Sequence, residues 1–123
     1  MIAVVEDEKE LCESIKMLLT EKGYEIDTAR SCDEADKYIG NPQIDMFLLD
    51  VKLPDGSGFD ICRKIRKSSE VPVIFLTSCD SEEEIVMGLD IGADDYITKP
   101  IYTKELLSRK SAKIRRSKFK PGN

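Results

Sequence analysis

The sequence contains no histidine among its 123 residues. This absence excludes a Ser-His-Asp triad, a phosphohistidine carrier and a His-ligated zinc or haem site. Cys12, Cys32, Cys62 and Cys79 show no CxxC spacing, and most lie in or beside apolar segments, which indicates reduced thiols in a cytosolic protein. No apolar run approaches the ~20 residues of a membrane span, and no segment resembles a signal peptide. We therefore expect a cytoplasmic protein without a membrane partner.

Charge is distributed unevenly along a chain long enough for one domain. Residues 1–98 carry 10 Lys and Arg against 23 Asp and Glu, whereas residues 99–123 carry nine against one. The acidic body repels nucleic acid, so we do not expect this domain to bind DNA by itself. Residues 117–123 lose periodicity and end in Pro-Gly-Asn, which predicts a domain over residues 1–116 followed by the start of a linker.

Short apolar runs alternate with segments of helical period. The runs are residues 2–5, 24–29, 46–49, 71–76 and 96–97. Runs three and four are continuous, which is typical of strands covered on both faces of a parallel sheet. The segments of helical period predict that one helix ends at Gly23 and another at Gly92. They also predict a second helix that includes Ala35 and Ile39, and a last helix with Leu106, Leu107 and Ile114. Five such units predict a doubly wound, five-stranded parallel α/β sheet of the flavodoxin-like type.

Polar residues follow four of these strands. Glu6 and Asp7 follow the first, Asp50 ends the third, Thr77 ends the fourth and Lys99 follows the fifth. In open parallel sheets the site lies at the carboxyl ends of the strands. Adjacent strands are ~4.8 Å apart, so neighbouring first and third strands would bring the carboxylates within a few ångströms of one another. Their repulsion requires a cation, and ligands that are all oxygen favour Mg²⁺.

Each residue also has a simpler interpretation when taken alone. Acidic residues after a strand are commonly helix caps or partners of the helix dipole. Thr77 could simply close its strand, Lys99 could be a solvated surface lysine, and Asp55-Gly56 could be only a turn. Tyr96 on an edge strand could serve packing. The combination on four strand ends favours a functional site.

Two phrases at these strand ends resemble a known family. They are LDVKLPDGSG at residues 49–58 and GADDYITKP at residues 92–100. With Glu6-Asp7 and Thr77, they resemble the receiver domain of two-component response regulators, over residues 1 to about 116. The resemblance implies a regulatory phosphoacceptor, not an enzyme of a separate substrate, that receives its phosphoryl group from a sensor histidine kinase.

The resemblance also implies the roles of the acidic residues. Asp50 would accept the phosphoryl group. Mg²⁺ or Mn²⁺ would be bound by the carboxylates of Glu6, Asp7 and Asp50 and by the backbone carbonyl of Lys52. Glu6 is a departure, because the family more often has Asp at this position, and the longer side chain can alter metal affinity.

Further roles follow from the same resemblance. Lys99 would pair with the phosphate, and its peptide bond to Pro100 would be cis. Thr77 and the amide of Ser78 would contact the phosphoryl oxygens, and Tyr96 would turn inward as Thr77 moves. This switch would change the face built from the fourth helix, the fifth strand and the fifth helix.

The basic tail and the KELLSR…IRR run resemble OmpR/PhoB-type regulators, which dimerise through that face and carry a C-terminal DNA-binding domain that controls transcription. The dimer contacts implied by this resemblance are Asp90, Asp94, Asp95, Glu105, Arg109 and Arg116. Ile85 stands where that subfamily usually has a cation, and Lys110 replaces a usual apolar residue. Both substitutions weaken the match at the dimer face, where the charges could instead lie on a solvated helix.

Two of three alternative functions need residues that this sequence lacks. Binding of a flavin phosphate needs a Ser/Thr/Gly-rich loop after the first strand, where this chain has Glu6-Asp7-Glu8. A haloacid-dehalogenase-type phosphatase needs a second aspartate where this chain has Lys52. A receiver-like interaction module that takes no phosphate is the alternative that stays open.

Overall fold

Five parallel strands form a single sheet in this computed structural model, which describes residues 1–77, 82–99 and 108. The strands are β1 (Ile2–Val5), β2 (Ile26–Ala29), β3 (Met46–Asp50), β4 (Val73–Thr77) and β5 (Asp95–Thr98). Their order across the sheet is β2-β1-β3-β4-β5. This order confirms the predicted doubly wound fold and sets β1 beside β3, with Val5 opposite Leu49.

Every residue of β1, β3 and β4 is buried because helices cover both faces of the sheet. Successive side chains of a strand point to opposite faces. Val5, Leu49 and Phe75 therefore belong to one core cluster, whereas Val4 and Leu48 belong to the other. This two-sided burial explains the continuous apolar runs in the sequence.

Three helices follow the predicted pattern. They are α1 (Lys9–Glu21), α3 (Gly58–Arg66) and α4 (Glu82–Ile91). Helix α1 buries Cys12, Ile15 and Leu19. The chain after α1 and after α4 turns at Gly23 and Gly92, whose φ angles are +92° and +112°. Glycine adopts such angles without steric cost, so both predicted stops are confirmed.

The second helical segment is shorter than its apolar residues suggest. Helix α2 comprises only Cys32–Ala35, and a single 3-10 turn, Asp36–Tyr38, follows it. Ile39 is extended, with φ −72° and ψ 123°. The buried side chains of this segment are Ala35 and Tyr38, three residues apart, a spacing that suits a 3-10 turn.

A two-residue hairpin connects β3 to α3. Lys52–Leu53 pairs antiparallel with Gly56–Ser57 around a turn at residues 54–55, so the predicted Asp55-Gly56 turn lies one residue earlier than expected. Among the described residues, no helix is long and apolar enough to cross a membrane. Apart from residue 108, which is helical, the predicted last helix lies outside the described residues. So do the linker at residues 117–123 and the Lys99-Pro100 peptide bond.

Candidate functional site

The carboxyl ends of four strands bring the predicted site residues together. Val5 of β1 and Leu49 of β3 are paired, so Glu6 and Asp50, the residues that follow them, lie side by side. On the other side of β3, Thr77 closes β4. The N–H of Lys99 donates to the Thr77 carbonyl at 2.7 Å, which fixes the lysine beside the end of β4.

Lys99 is the cation of this site. Its Nζ lies 2.9 Å from Glu6 Oε1 and 3.6 Å from Asp50 Oδ2. The second Glu6 oxygen, Oε2, accepts a hydrogen bond of 3.1 Å from the N–H of Glu8. The glutamate side chain, longer than that of aspartate, therefore contacts both Lys99 and the backbone of the loop that follows β1.

Burial makes the charges of this site interdependent. Glu6 is 0% exposed and Asp50 only 5%. Burial and the neighbouring Glu6 raise the pKa of Asp50 to about 7, although Lys99 acts in the opposite direction. Burial lowers the pKa of Lys99, but the Glu6 and Asp50 carboxylates outweigh burial and hold that pKa above its usual value. One lysine thus only partly compensates two buried carboxylates.

Asp7 adds a third carboxylate, and this one faces solvent. One oxygen from each of Glu6, Asp7 and Asp50 lies within 4.8 Å of the others. Three oxygen ligands without nitrogen or sulfur suit a hard divalent cation, and an open side leaves room for the water that Mg²⁺ retains. The residues present therefore fit a bound Mg²⁺, whose charge would offset the repulsion that raises the pKa of Asp50.

Glycine is required where the hairpin that follows Asp50 returns to the sheet. The N–H of Gly58 donates to the Val51 carbonyl at 2.8 Å, and a Cβ at Gly58 would overlap the backbone carbonyl of Asp50. Ser57 Oγ accepts the N–H of Phe59 at 3.0 Å and caps α3. This close approach presses the start of α3 against the end of β3.

Two residues that hold the site were missed in the sequence. Arg30 donates from Nε and Nη2 to the Asp7 carbonyl, at 3.1 and 2.8 Å. Asp55, interpreted above as a turn residue, accepts the N–H groups of Cys32 and Asp33 at 2.7 and 3.0 Å, and these bonds lower its pKa. Both contacts join residues more than 20 positions apart, so no local spacing signals them.

Comparison with known proteins identifies this arrangement. The family model of the response regulator receiver domain matches residues 2–110. The chain belongs to this family. Receiver domains of the family bind Mg²⁺ in an acidic pocket, and this chain has an acidic cluster formed by Glu6, Asp7 and Asp50.

Solved structures agree with the family match. The chain is 32% identical to a CheY-like receiver domain protein from Methanospirillum hungatei JF-1, with a TM-score of 0.90 over 95% of this chain and 94% of that one. A two-component response regulator from Clostridium difficile is 34% identical, with a TM-score of 0.90 over 94% and 96%. The BeF3-activated RstA receiver domain from Klebsiella pneumoniae is 32% identical, with a TM-score of 0.87 over 93% and 97%.

Thr77 and Tyr96 of this receiver lie on the adjacent strands β4 and β5, two positions out of register, because Thr77 pairs with Thr98. Thr77 is 6% exposed. Tyr96 pairs in register with Phe75 and is half-buried, packed against the core cluster on the α3 side of the sheet. Lys52, two residues beyond Asp50, is exposed in the hairpin. Ser78 lies outside the described residues.

The acidic residues predicted at the dimer face lie in different surroundings. Asp90 is exposed on α4, and Asp95 begins β5. Asp94 Oδ2 accepts hydrogen bonds from Arg66 Nη2 at 3.1 Å and from the N–H of Val73 at 2.9 Å. This carboxylate therefore has partners within its own chain. The predicted basic and acidic partners Glu105, Arg109 and Arg116 lie outside the described residues, as does Lys110, and the Ile85 side chain is likewise not described.

Proposed function

We propose that this receiver accepts a phosphoryl group on Asp50 from a sensor histidine kinase in a Mg²⁺-dependent reaction. The observation that carries the proposal is the buried Asp50 carboxylate, with Lys99 Nζ at 3.6 Å and two further carboxylates within 4.8 Å. A nucleophile beside one fixed cation and one cation site matches the needs of phosphoryl transfer, which depends on positioning and charge stabilisation.

In the proposed reaction an Asp50 oxygen attacks phosphorus as the phosphorus–nitrogen bond of the donor histidine breaks. The electron pair of that bond returns to the imidazole, which then takes a proton from water, and the product on Asp50 is an acyl phosphate. Glu6, Asp7, Asp50 and the Lys52 carbonyl would hold the Mg²⁺, which would stabilise negative charge on the phosphoryl oxygens when bound. The Lys99 ammonium gives up part of its ion pair with Glu6 and bonds to a phosphoryl oxygen instead. The positive charge of Lys99 therefore stays at the site.

The response to phosphorylation is proposed to run through Thr77. Its hydroxyl and the Ser78 amide bond to the new phosphoryl oxygens, and Tyr96 turns toward the space that Thr77 leaves. Because Tyr96 is on β5, this movement alters the face formed by α4, β5 and the predicted fifth helix. Exposed Val86 and Met87 on α4, at 49% and 44% exposure, support a role of this face in association.

We further propose that the altered face controls homodimerisation and, through a C-terminal DNA-binding domain of the OmpR/PhoB type, transcription in the cytoplasm. Asp90, Asp94 and Asp95 are the proposed acidic contacts, and Glu105, Arg109 and Arg116 are the proposed contacts of the fifth helix. The domain itself is proposed to cover residues 1–116, with a linker starting at residue 117.

The test is the intact mass of the protein after incubation with acetyl phosphate, with and without Mg²⁺. We expect a gain of about 80 Da, one phosphoryl group, only in the presence of Mg²⁺. Asp50→Asn abolishes the gain. Asp60→Asn, which removes an exposed carboxylate of α3 that pairs with Arg63, retains it. No gain in the wild type under any condition favours the phosphate-independent interaction module.

A further inference from the structure

Arg30 connects the β2–α2 loop to the first acidic loop of the site. Its guanidinium donates two hydrogen bonds, from Nε at 3.1 Å and Nη2 at 2.8 Å, to the Asp7 carbonyl oxygen. The guanidinium of an arginine is a planar fork of N–H groups, so it fixes the direction of its hydrogen bonds as well as their length. A lysine ammonium does not fix that direction. The bonded carbonyl belongs to the residue whose carboxylate forms the solvent side of the acidic cluster.

The Arg30 contact falls at a short connecting segment of the backbone around Asp7. It lies between the end of β1 and the start of α1, where Glu8 occupies the cap position and its side chain makes no cap hydrogen bond. The preceding residue is held firmly, because the N–H of Glu6 donates to the Ala29 carbonyl at 3.0 Å. Arg30 holds the carbonyl side of the Asp7–Glu8 peptide, whose N–H donates to Glu6 Oε2 at 3.1 Å, and so restricts the rotation of the Asp7 backbone that aims its carboxylate.

Arg30 is itself anchored at the start of α2. Its N–H donates to Glu34 Oε1 at 3.2 Å, while the N–H of Glu34 donates to Ser31 Oγ at 3.1 Å. This reciprocal pair resembles a capping box. Asp55, in the hairpin that follows Asp50, caps the same helix through two N–H groups. The start of α2 therefore links the acidic loop of Asp7 to the loop of the phosphoacceptor.

We propose that Arg30 is a positioning residue, which presets the Asp7 carboxylate for the divalent cation by holding the Asp7 carbonyl. This inference rests on the proposed function of the site. Partners that orient a metal ligand commonly contribute 10- to 100-fold, as an order of magnitude, to metal affinity. The positive charge of Arg30 has the opposite effect, because it repels the cation. The guanidinium is exposed, so water and salt screen that repulsion, and positioning outweighs it.

The test is a Mg²⁺ titration followed by backbone amide NMR shifts in 0.15 M salt. We expect Arg30→Met to bind Mg²⁺ roughly 10-fold more weakly than the wild type. Arg30→Lys, with the same charge but no fork, recovers only part of the loss. Arg63→Met is the matched control, because it removes an equal charge from an exposed arginine that pairs with Asp60 away from the site, and its affinity equals that of the wild type.

Two further comparisons make the test decisive. The deficit of Arg30→Met is at least as large in 0.5 M salt, where screening removes the gain in affinity that comes from losing a repelling charge. The metal-free free energy of unfolding identifies any variant that is merely unstable. An affinity of Arg30→Met equal to or above that of the wild type overturns the positioning role. If Arg30→Met does not fold, full wild-type affinity in Arg30→Lys overturns it. A wild type that binds no Mg²⁺ overturns the proposed function and this inference with it, a result distinct from a failure of the variants alone.

Discussion

Glu6 is the most deeply buried charged residue of the described structure. Its side chain is fully buried, and its two oxygens meet Lys99 Nζ and the N–H of Glu8. A buried carboxylate that loses its cation is strongly destabilising, whereas removal of both partners costs much less. At the residue scale, the pairing of Glu6 with Lys99 therefore explains how a glutamate is accommodated where an aspartate is more usual.

This pairing predicts the outcome of a double-mutant cycle. Lys99→Met lowers the free energy of unfolding of the metal-free protein by about 3 kcal/mol, because Glu6 is left buried without its cation. Adding Glu6→Gln to Lys99→Met restores part of the loss, with a coupling energy of about 1–3 kcal/mol. Urea unfolding of the wild type, both single variants and the double variant measures this. Simple additivity of the two substitutions would show that the pair is not coupled.

The raised pKa of Asp50 predicts a pH dependence of stability. The folded-state pKa is about 7 and the ordinary value is 3.8, so in that interval the folded state retains a proton that the unfolded state releases. The free energy of unfolding in EDTA therefore falls as the pH rises from about 4 to about 7. Asp50→Asn removes this slope and is more stable than the wild type at pH 8, by an amount on the order of 2 kcal/mol.

The control for this prediction is Asp60→Asn, an exposed carboxylate that pairs with Arg63 on the surface of α3. Its free energy of unfolding follows that of the wild type across the same pH range. Added Mg²⁺ stabilises the wild type at pH 8, since the cation binds the folded state. An Asp50→Asn variant less stable than the wild type at pH 8 in EDTA would contradict the account.

At the element scale, the start of α3 is set by the contact between Gly58 and Asp50. Gly58→Ala lowers the free energy of unfolding by about 2–3 kcal/mol, because the new methyl group overlaps a backbone carbonyl that cannot move independently of β3. Gly88→Ala in α4 is the contrast. There the new Cβ meets the Phe75 ring at 3.3 Å, a contact that a shift of a few tenths of an ångström relieves, and alanine favours a helix interior by about 1 kcal/mol.

Thermal unfolding distinguishes the two alanine variants. The variant at residue 58 melts well below the wild type, and the variant at residue 88 stays close to it. Equal losses at both positions would show that the contact with the Asp50 carbonyl has no special effect.

The elements also show what sequence patterns can and cannot predict. Continuous apolar runs predicted β3 and β4, because burial on both faces leaves a direct imprint on the sequence. The short α2 was not predicted, because the spacing of Ala35 and Ile39 is typical of a longer helix. In the structure a 3-10 turn follows Ala35 and places Tyr38 in the core. Convergence of Glu6, Asp50 and Lys99 followed from strand order alone. The contacts of Arg30 and Asp55 depend on loop geometry, which local spacing does not encode.

At the scale of the whole molecule, one arginine holds the end of the sheet opposite the site. Arg66 donates to the carbonyls of Gly92, Ser69 and Val71 at 2.9, 3.3 and 2.7 Å, and its Nη2 pairs with Asp94 Oδ2 at 3.1 Å. These bonds join the end of α3 to the start of β4 and to the turn before β5. The packing of α4 and β5 on the rest of the sheet depends on this connection.

This connection predicts an uneven effect of two arginine substitutions on the same helix. Arg66→Met lowers the free energy of unfolding by about 2–3 kcal/mol, because several half-buried carbonyls and one carboxylate lose their donor. Arg63→Met, which removes an exposed i,i+3 pair, changes it by less than about 0.5 kcal/mol. Urea unfolding of both variants measures the difference. Similar values for the two would contradict the proposed role of Arg66.

The proposed function places the phosphoryl group on Asp50. The most direct measurement is borohydride reduction after incubation with acetyl phosphate and Mg²⁺, followed by peptide mass mapping, because reduction of an acyl phosphate converts that aspartate to homoserine. We predict homoserine at residue 50 alone, and none when Mg²⁺ is removed by EDTA. Homoserine at another carboxylate, or at none although the whole protein has gained a phosphoryl group, would contradict the account.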